Sequence, residues 1–183
     1  MFKSSRHIRG FNLIEAMVTV AIAAILSGVA MPSFLEMISS NQMSSQANEI
    51  HRSIVIARSE AIKRGQDVTV CAINASQDNC DLSKGWDQGW IVKEANNNGA
   101  LSIISVHPAL TDNYTLLGSH TGLNSQITFS PSGTASTSGH LVLCKNNQIS
   151  QFTRSIFINR FGKVSVKNTD RYTPINCGVS SDG

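Results

Sequence analysis

No G-x-S-x-G, H-E-x-x-H, P-loop or G-x-G-x-x-G stretch occurs in the 183 residues. Those absences remove the short signatures of serine hydrolysis, zinc proteolysis, phosphate cradling and dinucleotide binding. No C-x-x-C occurs either, and no histidine lies near a cysteine at zinc-ligand spacing. His7, His51, His107, His120 and His140 are scattered, with no spacing that suits a shared metal; each reads as a surface or loop residue. No pair of carboxylates is spaced for acid–base work. The expectation is a protein that is not an enzyme and that holds no metal and no cofactor.

Charge is also sparse, at 15% of residues, and its net value of +3 misleads. Lys3, Arg6 and Arg9 sit in the first ten residues; without them twelve basic residues face twelve acidic ones. The distribution along the chain is uneven. Residues 65–139 carry two basic side chains (Lys84, Lys93) against six acidic ones, whereas residues 140–183 carry six basic side chains against two acidic ones. An acidic middle is followed by a basic tail.

What the chain does have is one long apolar run. A short basic leader, residues 1–10, precedes an apolar stretch, 11–35, in which Glu15 is the only ionisable side chain. That length matches the roughly 20 residues a helix needs to cross a bilayer. A carboxylate in such a run is costly, by about 3 kcal/mol near the centre and less toward an end, so it demands a compensating partner. The leader lacks the apolar region and Ala-x-Ala site of an ordinary secretory signal. Pro32 removes a backbone donor and clashes with the preceding turn, which predicts a kink or local melting over 31–33.

From 36 to 64 the helix is expected to continue. Met43, Ala47, Ile50, Ile54, Ala57 and Ala61 recur at helical spacing and make one apolar stripe for burial on a partner layer. Lys63, Arg64 and Gly65 suit a helix C-terminus. After Gly65 the period becomes two, with strands expected over 68–73, 89–93, 101–106, 126–130, 140–145, 154–159 and 163–167. Asn96-Asn97-Asn98-Gly99, Pro131-Ser132-Gly133 and Phe161-Gly162 supply turn chemistry. Asn96–Gly99 reads as a plain hairpin turn, Trp86 and Trp90 as core or sheet-edge packing, and 134–139 as a mobile polar loop. The length fits one domain plus an anchor, and a soluble part rich in Gly, Ser, Asn and Thr suits an extracytoplasmic, β-rich module. Disulfides persist in that compartment. Cys71, Cys80, Cys144 and Cys177 allow three pairings; we favour Cys71–Cys80 as a short loop and Cys144–Cys177 as a clasp on the tail, with free buried thiols as the alternative.

Gly10, Phe11, Leu13, Ile14 and Glu15 match the G-F-x-L-x-E pattern, and with the basic leader and Pro32 the N-terminus resembles that of type IV prepilins. Asn12 stands where that group usually has Thr. The segments ARSEAIKRG (57–65), GWIVKEANNNG (89–99) and ITFSPSG (127–133) resemble the GspH/FimT group of minor pilins and pseudopilins. The resemblance implies an α+β, type IV pilin-like fold: a long N-terminal helix, transmembrane in its first half, packed on an antiparallel β-rich domain. The divisions are leader 1–10, transmembrane and assembly helix 11–35, amphipathic continuation 36–64 and globular domain 65–183.

The resemblance further implies cleavage after Gly10 by a prepilin peptidase, N-methylation of Phe11 and an inner-membrane anchor with a periplasmic domain. Assembly with other minor and major pilins follows, with Glu15 and Pro32 as assembly residues. A minor pilin at or near a pilus tip, priming assembly, is the leading expectation; a type II secretion pseudopilin is the alternative. In DNA-uptake members a C-terminal Gly-Arg-x-Arg segment is associated with DNA. Here Gly162, Lys163, Val164 and Ser165 occupy it, Ser165 replacing the second arginine. Arg154, Arg160, Lys163, Lys167 and Arg171 are the candidate contacts for double-stranded DNA.

Overall fold

The computed structural model describes residues 12–94, 102–111, 113–146, 153–168 and Cys177, with the side chains of 29–33 outside that description. Among these residues one α-helix, α1 (Leu13–Arg64), precedes eight strands: β1 (Val68–Ala72), β2 (Trp90–Glu94), β3 (Ile103–His107), β4 (Tyr114–Gly118), β5 (Gln126–Phe129), β6 (Gly139–Lys145), β7 (Arg154–Ile158) and β8 (Val164–Asn168). The strands form two antiparallel sheets, ordered β3-β2-β1-β5 and β4-β6-β7-β8. Residues 1–39 and 40–183 are separate compact units.

In the first unit, the described apolar side chains are largely exposed, Leu13, Val20 and Ile25 among them. The few polar side chains are satisfied locally: Thr19 Oγ1 donates to the Ala16 carbonyl at 2.9 Å and Ser27 Oγ to that of Ala23 at 2.7 Å, a geometry that lets a hydroxyl sit in an apolar helix. Among the described residues, no helix is long and apolar enough to cross a membrane; the expected span, 11–35, includes Phe11 and the undescribed side chains of 29–33. The backbone stays helical through Pro32, so the chain does not melt locally there.

The second unit is built on the stripe. Met43, Ala47, Ile50, Ile54, Ala57 and Ala61 are all buried to within 1%. They join a single core with the inner faces of both sheets, including Val68, Val70, Trp90 and Phe129 of one and Leu116, Leu141, Leu143 and Ile156 of the other. Fully burying a Leu- or Ile-sized side chain stabilises by about 2 kcal/mol, so this shared core is the main reason the sheets hold the helix. Three alanines in the stripe let the sheets approach α1 closely. Both tryptophans are buried and satisfied: Trp86 Nε1 donates to the Leu123 carbonyl at 2.8 Å, and Trp90 Nε1 to Ser53 Oγ at 2.9 Å. Ser53 Oγ itself donates to the Glu49 carbonyl at 3.0 Å, which explains a hydroxyl on a buried helix face.

α1 ends at Arg64, and Gly65 takes φ +66° while its N–H donates to the Ala61 carbonyl at 3.0 Å. This is the αL cap that glycine adopts without strain. Two departures from expectation stand out. β4 lies where no strand was expected, and it forms an edge of the second sheet. The 134–139 loop, expected to be mobile, is instead tied down: Ala135 bridges to Phe129, its N–H donates to the Arg160 carbonyl at 3.0 Å, and Ser136 N–H donates to the Thr128 carbonyl at 2.8 Å. The Asn96–Gly99 turn lies outside the described residues.

Candidate functional site

Gly10 and Phe11 lie outside the described residues. Glu15 is exposed in the first turn of α1, where the positive helix end favours a carboxylate. It has no ion-pair partner among the described residues of its own chain. Pro32 lies farther along the same helix.

Disulfides join Cys71 to Cys80 and Cys144 to Cys177, spanning 9 and 33 residues. The first closes the loop after β1 and, with Ile73 and Ile91, covers the outer face of the first sheet. The second ties the tail to the end of β6.

The structure disperses the four described basic residues of that set. Arg154, at the start of β7, turns toward α1, with its guanidinium 3.4 Å from Ser44 Oγ and 3.5 Å from Ser40 Oγ. Arg160 and Lys163 are exposed on the β7–β8 turn. Lys167 lies over the Phe157 ring, its Nζ 5.5 Å from the centroid. Arg171 falls outside the described residues. Arg160 and Lys163 therefore share the β7–β8 turn, Lys167 lies toward the other end of β8 opposite Ser155, and Arg154 belongs to the helix–sheet junction. Phe161, between Arg160 and Lys163 in sequence, is 78% exposed.

Arg58, singled out at first only as part of a family segment, proves to organise this region. Its Nε donates to the Gly133 carbonyl at 3.0 Å and its Nη2 to the Phe161 carbonyl at 3.2 Å. It thus joins two turns, 130–134 and 159–162, to the C-terminal half of α1. Both turns carry a glycine at positive φ, Gly133 at +77° and Gly162 at +71°. A Cβ on Gly162 would collide with the Gly133 carbonyl and with Arg58, so glycine is required by contact as well as by conformation. No carboxylate pairs with Arg58 among the described residues.

Two grooves meet at Lys163. One, of about 400 Å³, runs between α1 and β8 and is lined by His51, Val55, Arg58, Ile62 and Val164. The other, of about 370 Å³, lies on the outer face of the second sheet beside His140, Phe157 and Ser165. No carboxylate lines either groove. Burial pushes the His140 imidazole below its ordinary pKa, and the nearby His120 adds to the shift; His140 packs on Phe157 with ring centroids 5.2 Å apart. At the helix end, hydrogen bonding from Arg64 holds the Glu60 carboxyl below its usual range, with Arg64 Nε 2.6 Å from Glu60 and Nη1 3.2 Å from Glu94. Among the described residues no cluster of His, Cys, Asp or Glu could hold a metal.

A long N-terminal helix whose second half packs on antiparallel sheets is the type IV pilin architecture. Residues 46–162 match the family described as type II transport protein GspH, and the chain belongs to that family. Its fold is also that of the minor type IV pilin FimU of Pseudomonas aeruginosa strain PAO1. A crystal structure in space group P21 aligns with a TM-score of 0.56 at 19% identity, over 69% of this chain and 89% of that one. A second, in space group P65, gives 0.54 at 20%, over 68% and 91%. No curated protein matches the chain in sequence. Pilins and pseudopilins are structural subunits, not enzymes, and assemble with other pilins into a pilus or pseudopilus.

Proposed function

We propose that the chain is a minor pilin of a type IV pilus. It is made as a prepilin, cut between Gly10 and Phe11 by prepilin peptidase and N-methylated at Phe11. Residues 11–35 hold it in the inner membrane until it enters the filament at or near the tip, where it primes assembly. The observation that carries this reading is Glu15: one carboxylate in an apolar helix, exposed and without an ion-pair partner among the described residues of its own chain. Among packed helices the Phe11 amino group of a neighbouring subunit supplies the missing countercharge. Gly10, lacking a side chain, lets the peptidase approach the scissile bond.

The test is Glu15→Leu. Insertion and cleavage stay intact, because the run only becomes more apolar, while the variant is lost from purified filaments. Incorporation at the wild-type level overturns the reading.

A second reading, a type II secretion pseudopilin, is favoured by the description of the matched family. Deleting the chain and scoring piliation, transformation and protein secretion in parallel separates the two, because a pseudopilin loses only secretion. Contact with double-stranded DNA is supported by the exposure of Arg160 and Lys163 together on the β7–β8 turn, with Lys167 exposed farther along β8. Reversing Arg160 and Lys163 to Glu should lower the affinity of the full chain for DNA and flatten its dependence on salt by about two phosphate contacts. Unchanged binding rejects that patch.

A further inference from the structure

The β7–β8 turn is fixed from several sides. Its ends close on each other: the Gly162 N–H donates to the Asn159 carbonyl at 2.9 Å, and the Lys163 N–H donates to Asn159 Oδ1 at 2.8 Å. The Arg160 carbonyl accepts the Ala135 N–H at 3.0 Å, and the Phe161 carbonyl accepts Arg58 Nη2 at 3.2 Å. Gly162 lies so close to the Gly133 carbonyl that no Cβ fits there. Phe161 sits among these fixed points, yet its side chain is 78% exposed.

A ring carried on an already ordered backbone loses little further freedom when a partner arrives. Beside it stand Arg160 and Lys163, both exposed, and neither meets a carboxylate among the described residues. The turn therefore offers a partner one aromatic face and two positive charges. A DNA duplex satisfies only the charges, because its bases are stacked on one another and closed to a ring standing outside. A single strand satisfies both: each unpaired base has a free π-face, and the phosphates follow along one backbone.

We infer that Phe161 is a base-stacking residue and that the β7–β8 turn takes single-stranded DNA in preference to duplex. The Phe161 ring stacks on an unpaired base while Arg160 and Lys163 meet the phosphates on either side. This inference rests on the DNA-contact reading above, which places phosphates on those two side chains.

The test measures binding of the full chain in detergent to two probes. One is a labelled oligothymidylate, which cannot pair with itself, followed by fluorescence anisotropy. The other is a relaxed, covalently closed duplex circle, which has no ends and no unpaired bases, added as competitor at equal phosphate concentration. Wild type should bind the strand more tightly than the circle. Phe161→Ala should weaken the strand roughly 5- to 150-fold, the effect of losing one stacked base, and leave the circle unchanged. Its salt dependence should also stay the same, because no phosphate contact is removed. Phe161→Trp should keep the preference. Reversing Arg160 and Lys163 to Glu should weaken both probes. If that reversal weakens both while Phe161→Ala changes neither, or lowers both alike, stacking is overturned and the DNA contact stands. A wild type that binds the circle as tightly as the strand overturns the preference in the same way. Loss of the Phe161→Ala chain from filaments, with oligothymidylate binding unchanged, makes Phe161 a subunit contact and also overturns it. If neither probe binds wild type, both readings fail.

Discussion

Arg58 shows how one side chain organises a surface. Its planar fork reaches two carbonyls on separate turns, and each such bond from a charged donor contributes about 1.5–3 kcal/mol. Arg58→Ala should therefore lower the unfolding free energy by about 3 kcal/mol in denaturant titration. Arg58→Lys should recover little of it, because a point-like ammonium cannot reproduce the two-pronged geometry. His140 gives the pH signature of the same end of the molecule. Its folded pKa is lowered by burial, so the unfolded chain takes up the proton first as pH falls. Its contribution is fully present above the ordinary histidine pKa, near 6.5, and declines as pH drops below that value toward the folded pKa. An NMR titration should place His140 below the ordinary histidine value, and His140→Phe should flatten the stability slope in that window.

Among the elements, α1 is decisive, and its small residues matter as much as its large ones. Ala47, Ala57 and Ala61 are fully buried against the sheets. Ala57→Leu puts three extra carbons into a packed seam and should cost about 1–3 kcal/mol, read as a lower thermal midpoint. The stripe was legible because the helical period needs only local spacing. β4 was not: Tyr114 and Leu116 face the core while Thr115 and Leu117 face out, but five residues between loops give too short an alternation to stand out. Ser53 was missed for a related reason. A serine on an apolar face makes sense only once Trp90, 37 positions along, is seen to donate to it.

The whole head is held by one shared core and by two disulfides that tie loop and tail to it. Cys144–Cys177 closes the longer loop, 33 residues, and such a link stabilises by about 2–4 kcal/mol. Replacing both cysteines by Ser should lower the unfolding free energy from denaturant titration by that amount without changing the helix content measured by circular dichroism. Of the five basic residues read as one tail patch, the four described ones part at this scale. Register places Arg154 opposite Asn168 at one end of the β7–β8 pair, while Arg160 and Lys163 ride on the turn at the other.

The local pattern determined the apolar run with its single carboxylate, the helix stripe, the Gly65 cap and most strands, because these depend on neighbours within a few residues. Sheet order, the Arg58 clamp and the meeting of two grooves at Lys163 were decided only by tertiary structure. Each joins residues far apart in the chain, here Arg58 to Gly133 and Phe161, 75 and 103 positions away. No local periodicity records which carbonyls a guanidinium will find once two sheets have closed on a helix.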